Sequence, residues 1–296
     1  MRLLIVTAVH FWIMYQFLLL KAEPLFGKVA HIRGGKAALP FVVLITRKDN
    51  GQHVCTGSLI SKSLVLTTAS CLNVPLKDLV VVTGSADPGS TRRGVFGLSW
   101  KITYGDWERI NNKPKFDKNS DDIALIKLSW VNALVKHGKI DYFDGSDKPG
   151  SKLQMVGWGP TIDAERLLER PERPRAATIR VWDRDHCMNH IKFILPTSTP
   201  YILPSRLMCT DSLAIAVNGD FGGPVLNKER NIVAVLIPRC PVPGACFTTS
   251  AQPNLLIHLR DFRAFLDEYI NDDALNRLEP LSLVKTKMMT NEVPSV

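Results

Sequence analysis

The chain has 296 residues, 45% hydrophobic and 22% charged, with 37 basic against 28 acidic side chains and a formal charge of +9. That is enough apolar material for one large or two moderate globular domains with a full core. The basic excess is not interleaved with aromatics, which argues against a nucleic-acid partner. No cysteines form a CxxC pair, which argues against a zinc cage or a dithiol redox motif.

The N-terminus, MRLLIVTAVHFWIMYQFLLLKAEP, sets one arginine before an apolar run from Leu3 to Leu20, then Lys21 and Ala22. It reads as a secretory signal over 1–22, cleaved near Ala22, followed by a short pro-segment over 23–31. An uncleaved anchor is the other reading, because the run approaches spanning length; His10 and Gln16 weaken it. Loss of Arg2 and Lys21 with the signal lowers the charge to +7. No later run is long enough to span, so no membrane contact is expected after cleavage. Cys55, Cys71, Cys187, Cys209, Cys240 and Cys246 all lie beyond the signal. An even count there implies three disulfides and an oxidising, extracellular location.

Further along, short β-branched runs alternate with turn residues. FVVLI (Phe41 to Ile45), GSLISKSLVLTTAS (Gly57 to Ser70), LVVVTGS (Leu79 to Ser85), WKITY (Trp100 to Tyr104) and DIALIKL (Asp122 to Leu128) read as strands. So do LQMVGWG (Leu153 to Gly159), ATIRVW (Ala177 to Trp182) and NIVAVLI (Asn231 to Ile237). Many short strands without alternating helices predict an all-β barrel or sandwich. RLLERPERPRAATIR, from Arg166 to Arg180, concentrates positive charge, and Pro171 and Pro174 forbid a continuous helix. It reads as a solvated loop, or as a contact for an anionic partner such as a polysaccharide. His186 and His190 stand four apart and would share a helical face, but further metal ligands are not evident, so no metal and no cofactor are expected. Leu259, Phe262, Phe265, Leu266, Tyr269 and Ile270 have helical spacing and predict one closing amphipathic helix. The segment 274–296 reads as a polar extension, and no internal repeat is visible.

In order, HIRGG (His31 to Gly35), HVCTGSLISKSLVLTTASC (His53 to Cys71), DIALIKL, VGWG (Val156 to Gly159), LMCT (Leu207 to Thr210) and GDFGGPV (Gly219 to Val225), followed by the terminal helix, resemble the chymotrypsin-like serine protease family. The resemblance covers roughly 32–273. It implies two packed six-stranded antiparallel barrels, with an active site in the cleft between them.

Such an enzyme needs a serine nucleophile, a histidine base, an aspartate that orients the imidazole, and backbone N–H donors for the oxyanion. The family histidine lies in Ala-His-Cys, where this chain has Ala69-Ser70-Cys71, and the family nucleophile in Gly-Asp-Ser-Gly-Gly-Pro, where it has Phe221. A serine accepts no proton near neutral pH, and a benzyl group is no nucleophile. Asp122 alone survives from the triad, and its expected role is a structural hydrogen bond to Ser70. Gly219 and its neighbours are then a vestigial oxyanion turn, plugged by Phe221.

The resemblance also implies the Cys55–Cys71 and Cys187–Cys209 disulfides. Both halves of another family disulfide are absent, at Leu153 and Asn227, and Val217 replaces a half of a further one. Cys240 is left to pair with Cys246 through CPVPGAC. The trypsin-like pocket base falls at Ile215, so no basic side chain would be recruited, and VLIPRC replaces a Ser-Trp-Gly that lines substrate, which narrows the pocket. In the family, cleavage after Arg or Lys frees an Ile-Val-Gly-Gly terminus whose ammonium pairs with the aspartate beside the nucleophile. That aspartate is Asp220, and Ile32 is present, but His31 precedes it and Arg33 replaces the valine. Asp220 is then either solvated or bonded to backbone in a zymogen-like arrangement. His53 reads as a packing residue.

The expected function is that of a secreted, non-catalytic serine protease homologue. It would bind another secreted protein as adaptor, cofactor or decoy, an active protease or its substrate being the natural candidates. The alternatives are a weakly active or relocated-site hydrolase and a protein that binds anionic matrix. Similar non-catalytic homologues are common in insect fluids, and the short leader tilts the reading toward venom or reproductive secretions.

Overall fold

The computed structural model describes residues 30–31, 39–83, 94–113, 121–130, 136–159, 161–162, 168–169, 174–195, 201–211, 214–238 and 253–274. In chain order the strands are β1 (Ala30–His31), β2 (Val42–Arg47), β3 (His53–Leu59), β4 (Leu64–Thr67), β5 (Leu79–Thr83), β6 (Gly94–Phe96), β7 (Leu98–Thr103) and β8 (Ala124–Leu128). They continue as β9 (Lys152–Gly157), β10 (Thr161–Ile162), β11 (Leu168–Glu169), β12 (Arg175–Arg180), β13 (Leu207–Thr210), β14 (Pro224–Leu226), β15 (Ile232–Ile237) and β16 (Asn254–His258). The helices are α1 (Tyr104–Ile110), α2 (Arg184–Ile194) and α3 (Arg263–Ala274).

Two curled antiparallel sheets carry the fold. The first has the order β6-β5-β2-β3-β4-β8-β7. Its two outermost members, β6 and β7, are one bent strand broken at Gly97, so the edges meet through a single stretch of chain and the sheet closes on itself. The second has the order β1-β12-β9-β14-β15-β16-β13, and a bridge between Val181 and Thr210 joins the end of β12 to β13. The expected six strands per barrel are therefore present, with β1 added on the second. That addition takes in Ala30 and His31, which the sequence places in the pro-segment.

Where the structure departs from the expected elements, the local chemistry explains it. The run Gly57 to Ser70 is two strands, because Ser61 accepts hydrogen bonds from the N–H groups of Ser63 and Leu64 and turns the chain. Helix α1 was not expected; it starts in a capping box, with Asp106 N–H donating to Thr103 Oγ1 and Thr103 N–H donating to the Asp106 carboxylate. The basic stretch 166–180 is not one loop, since β12 begins at Arg175, with Ala176, Ala177 and Ile179 buried. The closing helix begins as a tight 3₁₀ turn over Leu259–Phe262, and Phe262, Phe265, Leu266 and Tyr269 are fully buried.

Helix α3 fastens the two halves. Tyr104 packs edge-on against Phe262 and Phe265, and Trp107 Nε1 donates to Glu268 at 2.7 Å. Beneath it lies Arg206, 8% exposed, which donates to Asp121 at 2.6 Å and stacks over the Tyr104 and Phe262 rings. The disulfides Cys55–Cys71 and Cys187–Cys209 are formed, whereas Cys240 and Cys246 lie outside the described residues. At the missing family disulfide, the pairing of Leu226 with Gln154 brings Asn227 beside Leu153. Asn227 serves there as a polar tie: it donates to Asp144 and accepts from the N–H groups of Glu229 and Asn231. Among the described residues no helix is long and apolar enough to cross a membrane.

Candidate functional site

Between β4 and the loop before β8, Ser70 and Asp122 meet. Ser70 N–H donates to Asp122 Oδ1 at 2.6 Å and its hydroxyl donates to Oδ2 at 2.8 Å. Burial pushes the Asp122 carboxyl above the usual carboxylate range, and the two Ser70 bonds, with a further one from the Ala69 backbone, hold it back. The arrangement can hold a loop in place. It cannot relay a proton, because a hydroxyl is no base near neutral pH. An open cleft of about 660 Å³ lies alongside, lined by Ser70, Asp122, Lys101, Asp106, Ile237 and Pro238 among others.

The turn from Val217 to Gly223 is built by close backbone approach. Gly219 and Gly222 take φ of +103° and +83°, where a side chain is strained. A Cβ at Gly222 would overlap Thr67 Oγ1 and the Thr56 carbonyl. Thr56, fully buried on β3, donates its hydroxyl to Gly219 O at 2.7 Å, accepts from Trp158 N–H at 3.1 Å, and donates its own N–H to Phe221 O at 3.0 Å. One threonine of the first barrel thus pins the turn of the second. The half-buried Phe221 ring packs against both hydrophobic clusters.

Asp220 is buried beneath this turn. Its carboxylate accepts from Gly159 N–H at 2.6 Å and Val217 N–H at 3.1 Å, so of the two alternatives open from sequence the backbone-bonded one is observed. Burial pushes its carboxyl up to about 6, against the lowering pull of those two N–H groups and of the Arg175 charge. Ile32 lies outside the described residues. Ile215 is 2% exposed, and its neighbours Ala214 and Ala216 belong to the second cluster along with Leu236. Buried Asn254 fixes this floor, accepting from Ala216 N–H and donating to Ala214 O and Thr210 Oγ1. His53 sits against Gly219 and bonds Cys55 O through Nε2. His186 and His190 do share one face of α2, and both rings meet Trp182 edge-on at 4.5 and 5.2 Å. Among the described residues no group of three or more metal-ligating side chains converges.

Thr56, Asn254, Arg206 and Arg175 were missed from sequence. The first three are polar residues buried by contacts far along the chain and Arg175 is half-buried; none of them carries a local signal, whereas the cap of helix α1 at Thr103 does.

The trypsin family model matches residues 31–250. Among curated proteins, the chain is 26% identical over 229 residues to the inactive serine protease scarface of Drosophila melanogaster, which covers 74% of this chain and 34% of that one. It is 27% identical over 222 residues to granzyme M of Rattus norvegicus, covering 70% and 78%. It is 26% identical over 205 residues to ovochymase of Halocynthia roretzi, covering 65% and 12%. The chain thus spans about a third or less of the length of scarface and ovochymase. Among solved structures, human heparin binding protein superposes with a TM-score of 0.57 at 21% identity, covering 81% of this chain and 95% of that one.

Proposed function

The chain belongs to the trypsin family, and from that premise we propose that it acts by binding another extracellular protein instead of cutting one. The observation that carries the reading is the pair of positions where the chemistry would sit. Ser70 occupies Asp122 with two hydrogen bonds, and Phe221 follows the buried Asp220 with its ring packed against the core. Around them the two sheets, two disulfides and the glycine turn are formed. Losing the serine or histidine of a triad costs about 10⁶ in kcat in the measured subtilisin case. A scaffold kept whole around such a site is suited to presenting loops. The relative named inactive supports this reading, and the signal-like N-terminus supports secretion.

The test is crosslinking of the tagged protein in its native fluid, followed by mass spectrometry and reconstitution with the purified partner. One stoichiometric partner that rebinds in isolation is the expected result; none in competent fluid contradicts the proposal. Binding to anionic matrix is a weaker reading, because Arg175 lines the Asp220 cavity and withdraws from the basic stretch; Arg180 remains exposed opposite Lys152. The likeness to human heparin binding protein is one of fold alone. Elution from heparin below physiological salt removes this reading.

A further inference from the structure

On β12, Arg175 stands between two partners: His31 of β1 on one side and Gly157 of β9 on the other. Side chains directly opposite on antiparallel strands project to the same face, with Cβ atoms about 5 Å apart. Gly157 has no side chain, and the Asp220 carboxylate fills the place its Cβ would take. A Cβ on Gly159 would meet the same carboxylate. Arg175 and Asp220 consequently line one small cavity of about 10 Å³, together with Gly157, Gly159 and Leu236.

A carboxylate this deeply buried is costly unless a charge or strong donors compensate it. Two donors come from backbone, Gly159 and Val217. In the resembling family the compensating charge is the ammonium freed by cleavage. Here the segment just before Ile32 is itself paired into the sheet, Ala30 with Ala176 and His31 with Arg175. Half-buried Arg175, on the wall of the same cavity, is the cation that adds to the lowering pull of the Val217 and Gly159 N–H groups on the Asp220 carboxyl, more weakly than either of them.

We propose that Arg175 is the built-in counter-charge of Asp220, holding the Val217–Gly223 turn in its ordered form in the uncut chain, so that cleavage before Ile32 is not needed to set it. The inference concerns how the turn is held and stands apart from the binding proposal.

The test uses the full secreted chain with a single enteropeptidase site placed ahead of Ile32. Amide hydrogen exchange of Val217 to Gly223 and the thermal midpoint are read before and after cutting, in the parent and in Arg175→Gln and Arg175→Lys variants. In the parent, cutting should leave the midpoint within about 2 °C and the exchange rates unchanged. Arg175→Gln should raise exchange in this turn at least several-fold with the sheets still protected, and Arg175→Lys, which keeps the charge, should restore most of the protection. The proposal is overturned if cutting the parent slows exchange in the turn several-fold. It is equally overturned if the Gln and Lys variants exchange alike.

Discussion

Ser70 holds Asp122 twice, with its backbone N–H on one carboxylate oxygen and its hydroxyl on the other. The aspartate that would orient an imidazole is thereby turned into the anchor of a 3₁₀ turn next to the Cys55–Cys71 disulfide. Ser70→Ala removes the hydroxyl bond and leaves the amide bond. Urea unfolding should show a loss of about 1 kcal/mol, and Ser70→Thr should recover part of it. No change in Ser70→Ala would show that the hydroxyl bond does not fasten the loop.

Phe221→Ser recreates the family's Gly-Asp-Ser-Gly-Gly-Pro sequence. The lost ring contacts of a half-buried phenylalanine should cost about 2 kcal/mol, below the range for full burial. Peptide and ester hydrolysis should stay at background, because Ser70 supplies no base. A purified Phe221→Ser protein that turns over substrate would show a base that the site geometry does not contain.

Asp220 gives the fold a measurable pH dependence. Its carboxyl is raised from 3.8 to about 6 in the folded state. An acid raised on folding holds more protons folded than unfolded between those values, so its contribution falls as pH rises from about 4 to about 6 and is fully present only below the lower value. The loss is on the order of 3 kcal/mol. Asp106 and Asp144 are lowered and work with the opposite sign, so the readout is the difference between wild type and Asp220→Asn. The variant should lack the decline over that window; parallel curves would refute the assignment.

Arg206 sits between the two halves with Asp121 at 2.6 Å, and Glu108 at 4.0 Å. Arg206→Ala leaves these carboxylates buried without their cation and should cost about 3–5 kcal/mol, lowering the melting midpoint by roughly 10 °C. The double variant Arg206→Met with Asp121→Asn should lose less than the sum of the singles, since the two share one interaction. Additive losses would place the network's contribution elsewhere.

The parts of this protein written in the sequence are those with local or ordered patterns. The terminal helix follows from the spacing of Leu259 to Ile270, and the second sheet's central strands from runs such as NIVAVLI. The positions of Ser70, Asp122 and Phe221 follow from motif order. What was not legible is set by distant contacts: Thr56 reaching Gly219 across 163 residues, Asn254 closing the Ile215 floor, and Arg175 turning in toward Asp220. Charge density suggested that Arg175 faces solvent; it is half-buried, on the wall of the cavity where Asp220 fills the place of a Gly157 side chain. Helix α1 is the exception, since Thr103 and Asp106 announce a capping box that strand-like WKITY obscured.

The proposed absence of catalysis at this site is tested by incubating the purified protein, uncut and cut ahead of Ile32, with a serine-reactive fluorophosphonate and a peptide library. No labelling and no turnover above that of a Ser70→Ala variant are expected. Labelling that maps to Ser70 and vanishes in Ser70→Ala, with turnover lost alongside it, would instead establish a relocated hydrolase.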